Sequence, residues 1–582
     1  MKKLLLLAAT ALMASGSMLA FGPSVYPGMA FNGLSPDGNY ALSYVYEAMT
    51  IFDFKADKCY EYEELYTPGN GNYISNTGIV VGSKIGFDSA CFFQNGEWHD
   101  MPDVDKHSWS FANGITSTGT RIVGNVTPEG VGEINYDGLM LVPCYWDLQA
   151  DGTYSDAIYL PHPELDLTGR APQYITAVRV SEDGKTIAGQ IQDYSGTICQ
   201  PIVYTQNGSG EWTYTLILND LFHPKGINLP EDPGDGPSIN PEDYMTPEEQ
   251  KAYDLAYQQW YNSCLESDNW DYSTCPNAED YLSEEGKNKL EAAKAEYEVW
   301  NEKYNAFYKA FEELQKLVPA FDFNNVFLST DGTFYACTDM KYDFDFETYE
   351  PSETFTPYLI NIADLNNVTY TTYPNNNLNI TVTSLADDGT LLGQAYNNDH
   401  IAQAYVLPTG ASVFETLYSY IASKNTSLGE WMKKNMTHTY IGVDDETWDY
   451  VEKTEIFTGM PFTTPTMSVF ALAVENGWYE GEDSAEEDDA YIPYYGYIFS
   501  ADASGVDVVE AKGSIDMKVL SGATLTFSGD VSGVNIYTLQ GTCVFSVKSP
   551  AETLSTGLSN GIYVVKAVSK DGSAIIRKVI FQ

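Results

Sequence analysis

The chain has 582 residues, 43% of them hydrophobic, with 44 Tyr, 26 Phe and 10 Trp, and it sets 81 Asp+Glu against 30 Lys+Arg for a net charge of −51. Charge of that sign repels phosphates and anionic headgroups, so nucleic acid and acidic lipid are not expected as partners. The apolar and aromatic content is too high for a disordered acidic chain, so the protein folds, either as two to four domains of about 150 residues or as one large all-β domain with appendages.

Lys2 and Lys3 precede an apolar run over residues 4–13, and small residues follow at Ala14, Ser15, Gly16, Ser17 and Ala20. This order predicts a secretory signal peptide over 1–20, cut between 16 and 20. The run is too short to span a bilayer, and no other stretch reaches 18 apolar residues, so no transmembrane helix is expected in the mature chain.

From residue 21 to about 510 a degenerate repeat runs along the chain. Ser35-Pro36-Asp37-Gly38, Ser75-Asn76-Thr77-Gly78, Ser117-Thr118-Gly119, Ser181-Glu182-Asp183-Gly184, Ser329-Thr330-Asp331-Gly332 and Asp387-Asp388-Gly389 are turn signals. Most lead into an apolar strand and then an aromatic one. The first two glycine-to-glycine gaps are 40 and 41 residues, the length of a four-stranded propeller blade. A seventh unit falls over 467–474 and 491–499 without the turn signature. The fold predicted for 21–510 is all-β, a β-propeller of six to eight blades with seven preferred. A two-sheet sandwich array or a β-solenoid is the alternative, although a solenoid calls for a shorter and stricter period.

Residues 240–320 break the β pattern. Thr246-Pro247-Glu248-Glu249 is a capping box with proline at the first helical position, opening a helix through about Trp260 whose face carries Tyr253, Tyr257, Trp260 and Cys264. A longer helix starts near Ser283. Leu290, Ala293, Tyr297, Trp300, Tyr304, Phe307, Phe311, Leu314 and Val318 fall along it at steps of three and four. The pair is expected to pack as an antiparallel helical hairpin inserted in the propeller. Its seam either buries wholly between the helices and the propeller side or leaves aromatics free to engage a partner.

Asp343, Asp345 and Glu347 alternate with Tyr342, Phe344 and Phe346, which would set three carboxylates on one face of a strand. Residues 482–489 hold a second acidic cluster. Calcium is the cation such oxygens would suit, although neither stretch has the spaced loop of a dedicated site, and solvation alone accounts for both; no other cofactor is expected. Of eight cysteines, Cys264 and Cys275 bracket the connection between the two helices and could staple it in an oxidising compartment. Cys91, Cys144 and Cys199 lie in apolar strands as core residues. No HExxH, GxSxG nucleophile elbow or P-loop is predicted, so no catalytic residues are assigned, and His99 and His107, the closest histidines, read as a solvated loop.

Residues 511–582 form a separate module. Over 512–582 seven basic side chains meet four acidic ones, a net of +3; with the +2 of the leader also set aside, −56 remains on 21–511. Strand pairs are predicted at Val534-Asn535-Ile536-Tyr537 with 544–547, and at 561–567 with 575–581, the natural packing of which is an Ig-like β-sandwich. The motif residues Ile536, Tyr537 and Gly541, then Gly561, Ile562 and Tyr563, then Lys578 and Val579 occur in the order seen in the C-terminal sorting domain of the type IX secretion system of Bacteroidota, which this tail resembles. That resemblance implies export across the inner membrane, passage through the outer membrane by the type IX machinery, and a passenger released or linked to the cell surface. It says nothing of the passenger's activity. Three classes stay open for the passenger: a surface or secreted protein binding a glycan or protein partner, which we prefer; a glycoside or peptide hydrolase with acidic groups in a propeller funnel; and a structural surface-layer component.

Overall fold

The computed structural model describes residues 23–581 apart from 28, 46–47, 55–57, 64–65, 85–88, 130–138, 235, 268–269, 346–349, 374–377, 398, 400, 444–449, 476–493, 502–515, 521–522, 529–530, 539–542, 560 and 570–573. The leader 1–20, Glu347, the acidic run 482–489 and Gly541 therefore lie outside the described residues. The chain divides into two compact units, 165–170 with 220–318, and the remainder.

The larger unit is built from small antiparallel sheets taken in chain order. The first comprises Phe31–Leu34, Tyr40–Val45, Ala48–Asp53 and Lys58–Glu63. The second runs from Tyr66–Pro68 to Glu97–Asp100, the third from Ser110–Ile115 to Ile158–Tyr159, and the fourth from Tyr174–Ile175 and Arg179–Val180 to Trp212–Leu216. The fifth starts at Phe327–Leu328, the sixth at Thr381–Leu385, and the seventh at Met460–Thr463. The seventh sheet takes its outer strand from the start of the chain: Ser24–Pro27 pairs with Tyr494–Ser500, with Ser24 opposite Ile498 and Pro27 opposite Tyr495.

The alternation of apolar residues buries both faces of these sheets, and successive sheets share cores. Leu42, Ile51, Val80 and Phe93 join the first to the second. Val81, Ile115 and Trp146 join the second to the third, and Val123, Val180 and Tyr204 the third to the fourth. Tyr335 Oη donates to Gly189 O at 3.1 Å between the fifth and fourth. Ala336, Val382 and Leu391 join the fifth to the sixth, and Leu392, Phe470 and Phe499 the sixth to the seventh. Phe31, Val469 and Ile498 join the seventh back to the first.

One turn recurs between the first two long strands of each sheet. Ser35 O accepts from Gly38 N at 2.9 Å while Ser35 Oγ accepts from Tyr40 N at 3.0 Å. Ser75, Thr116, Ser181 and Ser329 repeat the pattern, and Ala386 keeps only the backbone half. The turn needs a left-handed residue at its third following position, which glycine supplies at 38, 78, 119, 184, 332 and 389, with φ from +71° to +85°. The seventh turn is Thr464-Pro465-Thr466-Met467, and Met467 takes that conformation at φ +58°.

Neighbouring turns are tied to one another. Asp37 N donates to Asn76 Oδ1 (2.9 Å), Asn76 N to Ser117 O (2.8 Å), Arg121 Nη1 to Gly184 O (2.6 Å), Glu182 N to Thr330 O (2.7 Å), Thr330 N to Asp387 Oδ1 (2.7 Å) and Asp387 N to Pro465 O (2.9 Å). Gly38 closes against the side chains of Thr464 and Val469.

The C-terminal residues form two antiparallel sheets. Asp516–Leu520, Thr524–Ser528 and Thr553–Ser555 make one, and Cys543–Lys548, Val531–Thr538, Gly561–Ser569 and Ala574–Phe581 make the other. Among the described residues their shared core draws on 523–579, with Leu525, Val534, Ile536, Val565 and Ala567 fully buried.

Candidate functional site

The smaller unit carries the candidate site. Its capping box forms as expected: Thr246 N donates to Glu249 Oε2 (2.8 Å) and Glu249 N to Thr246 Oγ1 (3.4 Å), opening helix α1 (Pro247–Ser267). Donation from Thr246 N foremost, joined by Ser283 N, holds the Glu249 carboxyl below its ordinary range. Ser283 Oγ caps helix α2 (Glu284–Leu317), whose 34 residues span roughly 50 Å.

The two helices do not pack seam to seam, which corrects the expected antiparallel hairpin. Instead, residues 270–282 turn back along α1. Trp260 Nε1 donates to Thr274 Oγ1 at 3.2 Å, Tyr253 meets Tyr281 at 5.7 Å between ring centroids, and Ser283 N donates to Glu249 Oε1 at 2.9 Å. The chain thus returns to the start of α1 before α2 begins. The aromatic face of α1 is filled by its own returning loop. The partner of α2 is residues 232–244: Trp300 Nε1 donates to Gly234 O at 2.8 Å, and Gly286 lies against Tyr244 O. Farther along, Phe307, Phe311 and Leu314 are buried, and Leu314 borders a cavity of about 230 Å³ with Leu167, Phe222, Pro224 and Ile227.

The rings that α1 cannot hide form one cluster at its end. Trp260 is buried beneath Trp270 (6.2 Å, edge-on) and Tyr272 (6.0 Å); Tyr261 meets Trp270 edge-on at 5.6 Å, and Tyr257 meets Trp260 at 5.5 Å. Tyr257, Tyr261 and Trp270 are each close to two-fifths exposed, and Tyr272 is 72% exposed. The helical periodicity pointed to Tyr257 and Trp260 but not to Trp270 and Tyr272, which lie in the loop. The signal available for them was two large aromatics in a segment otherwise rich in Asp and Ser. A second aromatic row, Tyr297, Trp300, Tyr304 and Tyr308, stacks along α2 with ring separations of 5.4, 4.9 and 6.1 Å.

The other predicted residues fall as follows. Asp343 and Asp345 lie in the strand Phe334–Asp345, opposite Ser352 and Glu350, and their side chains are outside the described residues. Among the described residues no three His, Cys, Asp or Glu side chains gather as metal ligands. Cys264 is buried and Cys275 half-buried, both as free thiols. Thr274 sits level with Trp260, whereas Cys264 lies one helical turn, about 6 Å, beyond it. Ile536 and Val579 are core residues of the C-terminal sheets and Tyr563 closes over that core. Tyr537 is half-buried, and Gly561, Ile562 and Lys578 occupy paired strands.

His107 departs from the expectation of a solvated loop. Its side chain is buried with Asp103, Nε2 to Oδ2 at 3.3 Å, and its Nδ1 lies 2.7 Å from Thr127 O. His99 is exposed as expected, but it stands in the paired strand Glu97–Asp100 opposite Phe92 rather than in a loop.

No known protein family matches this sequence, and no curated protein matches it. Among solved structures, PorZ, a bacterial surface component of the type-IX secretion system of Porphyromonas gingivalis, aligns over 93% of this chain at 8% identity and a TM-score of 0.33. The chain spans 58% of the length of PorZ. A putative TolB from Agrobacterium tumefaciens aligns over 60% of this chain and 81% of its own (12% identity, TM-score 0.28). Dipeptidyl peptidase 4 from Porphyromonas gingivalis aligns over 98% and 66% (9% identity, TM-score 0.25). Similarity at this level says nothing about activity. Among the described residues no helix is long and apolar enough to cross a membrane.

Proposed function

We propose that the protein is an exported, surface-attached or secreted binding protein of a Bacteroidota bacterium. In this reading the seven sheets are the blades of a β-propeller closed by the strand Ser24–Pro27, and residues 511–582 are a type IX sorting domain. The aromatic cluster on the helical insertion takes a glycan or protein partner. The observation that carries the binding role is the exposure of Tyr257, Tyr261, Trp270 and Tyr272 in one contiguous group. Large rings held at low entropic cost are what recognition surfaces use, and an isolated folded chain gains nothing by leaving such a group in water.

The test is a screen of the purified mature chain and its Trp270→Ala/Tyr272→Ala variant on glycan and host-protein arrays. A ligand retained by the parent and lost by the variant supports the reading. Cleavage of a polysaccharide or peptide without retention would favour the hydrolase class instead. Removing 511–582 in the native host should strand the passenger in the periplasm, and its appearance outside the cell would sink the sorting assignment.

A further inference from the structure

The sequence has four arginines, 121, 170, 179 and 577. Arg121 grips Asp147 through Nε (2.6 Å) and Nη2 (2.8 Å), and Arg170 pairs with Asp232. The side chain of Arg577 lies outside the described residues. Arg179 is different. Its Nε donates to Val326 O at 2.7 Å and its guanidinium lies 4.7 Å from the Phe327 ring centroid, but among the described residues its Nη groups have no acceptor and no carboxylate acts on it. In a chain carrying −51, a guanidinium without an acid is conspicuous.

Its place in the repeat is also distinct. Arg179 stands two residues before the turn residue Ser181, on the innermost strand of the fourth sheet. The equivalent positions are Gly33, Tyr73 and Gly114 in the first three sheets and Phe327, Ser384 and Phe462 in the last three, so Arg179 alone is charged. These inner strands crowd together: a Cβ on Gly71 would stand 1.8 Å from Val178 O, and Asn72 Nδ2, from the second sheet, donates to both Ile115 O and Val180 O. Tyr73 is close enough to act electrostatically on Arg179. Burial lowers the Arg179 pKa to about 10, which leaves it charged at neutral pH. The Nη atoms are nevertheless not among the polar atoms sealed from solvent, and the residue is half-buried, so its free donors remain within reach of a small solute.

We propose that Arg179 is the anchor of an oxyanion site at the inner edge of the sheets, taking a single carboxylate or sulfate group through its Nη fork. A planar guanidinium with two parallel donors matches such a group in geometry as well as charge. Phe327 holds the fork flat from one side, and the Val326 carbonyl fixes its rotation. The remaining ring positions are small or aromatic and bring no competing charge. The anion can come from a free small molecule or from the end of an acidic polymer.

The site rests on the closed ring of seven sheets, so its test has two parts. Calorimetric titration of the mature chain with sodium sulfate, sodium acetate and a galacturonic-acid trimer, each against chloride at constant ionic strength, should show one saturable site. Arg179→Met should weaken it by roughly tenfold or more, and Arg179→Lys, which keeps the charge without the fork, should weaken it by less. Binding of acetate or sulfate but not of the trimer assigns a free small anion, whereas binding of the trimer assigns a polymer end. No saturable binding by any probe, or equal binding by Arg179→Met, overturns the site. Separately, Ser24→Cys/Ile498→Cys should form a disulfide across the closing strand pair. If it forms while no anion binds, the ring stands and the site falls; if it does not form, both fall.

Discussion

Replacing Asp103 by asparagine tests how a buried ion pair holds the third sheet. His107 places Nδ1 2.7 Å from a carbonyl and Nε2 3.3 Å from a carboxylate; both partners accept, so both ring nitrogens carry protons and the ring is an imidazolium. Burial works against that charge, but the bonds to Asp103 and Thr127 outweigh it and raise the His107 pKa above its ordinary 6.5. Burial likewise works against the Asp103 carboxylate, yet donors from His107, Ala157 N (2.7 Å) and Trp146 Nε1 (3.2 Å) hold it below its ordinary 3.8. The stabilisation from His107 is therefore complete below 6.5 and lost as pH rises through its raised folded value. That from Asp103 is present above 3.8 and lost as pH falls through its lowered one. The pair counts most between the two. An asparagine oxygen can serve Ala157 and His107, but its amide then faces the Trp146 indole, another donor, deep in the core. Breaking a buried pair in this way costs about 3–5 kcal/mol. Once His107 is neutral, only the orphaned donor remains, about 1–3 kcal/mol. Urea denaturation of parent and Asp103→Asn at about pH 5.5 and about pH 8.5 should show the larger loss at the lower pH. An equal loss at both, or one that grows with pH, would refute the imidazolium assignment.

Gly184→Ala, where the nearest neighbour would be 3.7 Å away and φ is +73°, should cost only the left-handed strain, about 1–2 kcal/mol; Gly189→Ala drives a Cβ to 1.8 Å from Thr176 O and should keep the fourth sheet from forming, both read by chemical denaturation. Phe307→Asp should unfold the helical insertion, since that ring is 1% exposed, while Tyr304→Asp, at a position 38% exposed, should be tolerated; hydrogen exchange over 240–318 separates the two, and loss of protection in the seven sheets by Phe307→Asp would show that the insertion is not independent.

The legible parts of the fold were those in which one residue type answers one backbone demand. Six turns announced themselves because glycine supplies the left-handed residue they need, and the seventh did not, because Met467 takes the same conformation although Thr464 makes both the backbone and the hydroxyl bonds of the pattern. The pairing of Ser24–Pro27 with Tyr494–Ser500 was invisible, for four residues carry no period and their partner lies more than 460 positions away. His107 was misread because its burial depends on Asp103 across a short 3-10 turn, an i,i+4 spacing that in sequence resembles any polar loop. In the insertion, the helices and their apolar seams were legible, but the partner of each seam was not: periodicity says that a face is buried, never by what.

That last gap bears on where function can lie. In the sheets each apolar face meets the face of a neighbour, and the turn backbones spend their donors on the next turn, so this architecture consumes its own recognition groups. The insertion has no such reciprocity. Its α1 is covered by one irregular returning loop and α2 by another, and two single-sided covers leave part of the aromatic rows on both helices in solvent. The surplus rings at 257, 261, 270 and 272 are the remainder of that mismatch: Trp270 meets the buried Trp260 edge-on, Tyr257 and Tyr272 meet it tilted, and Tyr261 meets Trp270 edge-on. A surface produced by incomplete cover and then rigidified is suited to a partner that supplies the missing half, whereas Arg179, without an acidic partner among the described residues, is suited to a small oxyanion.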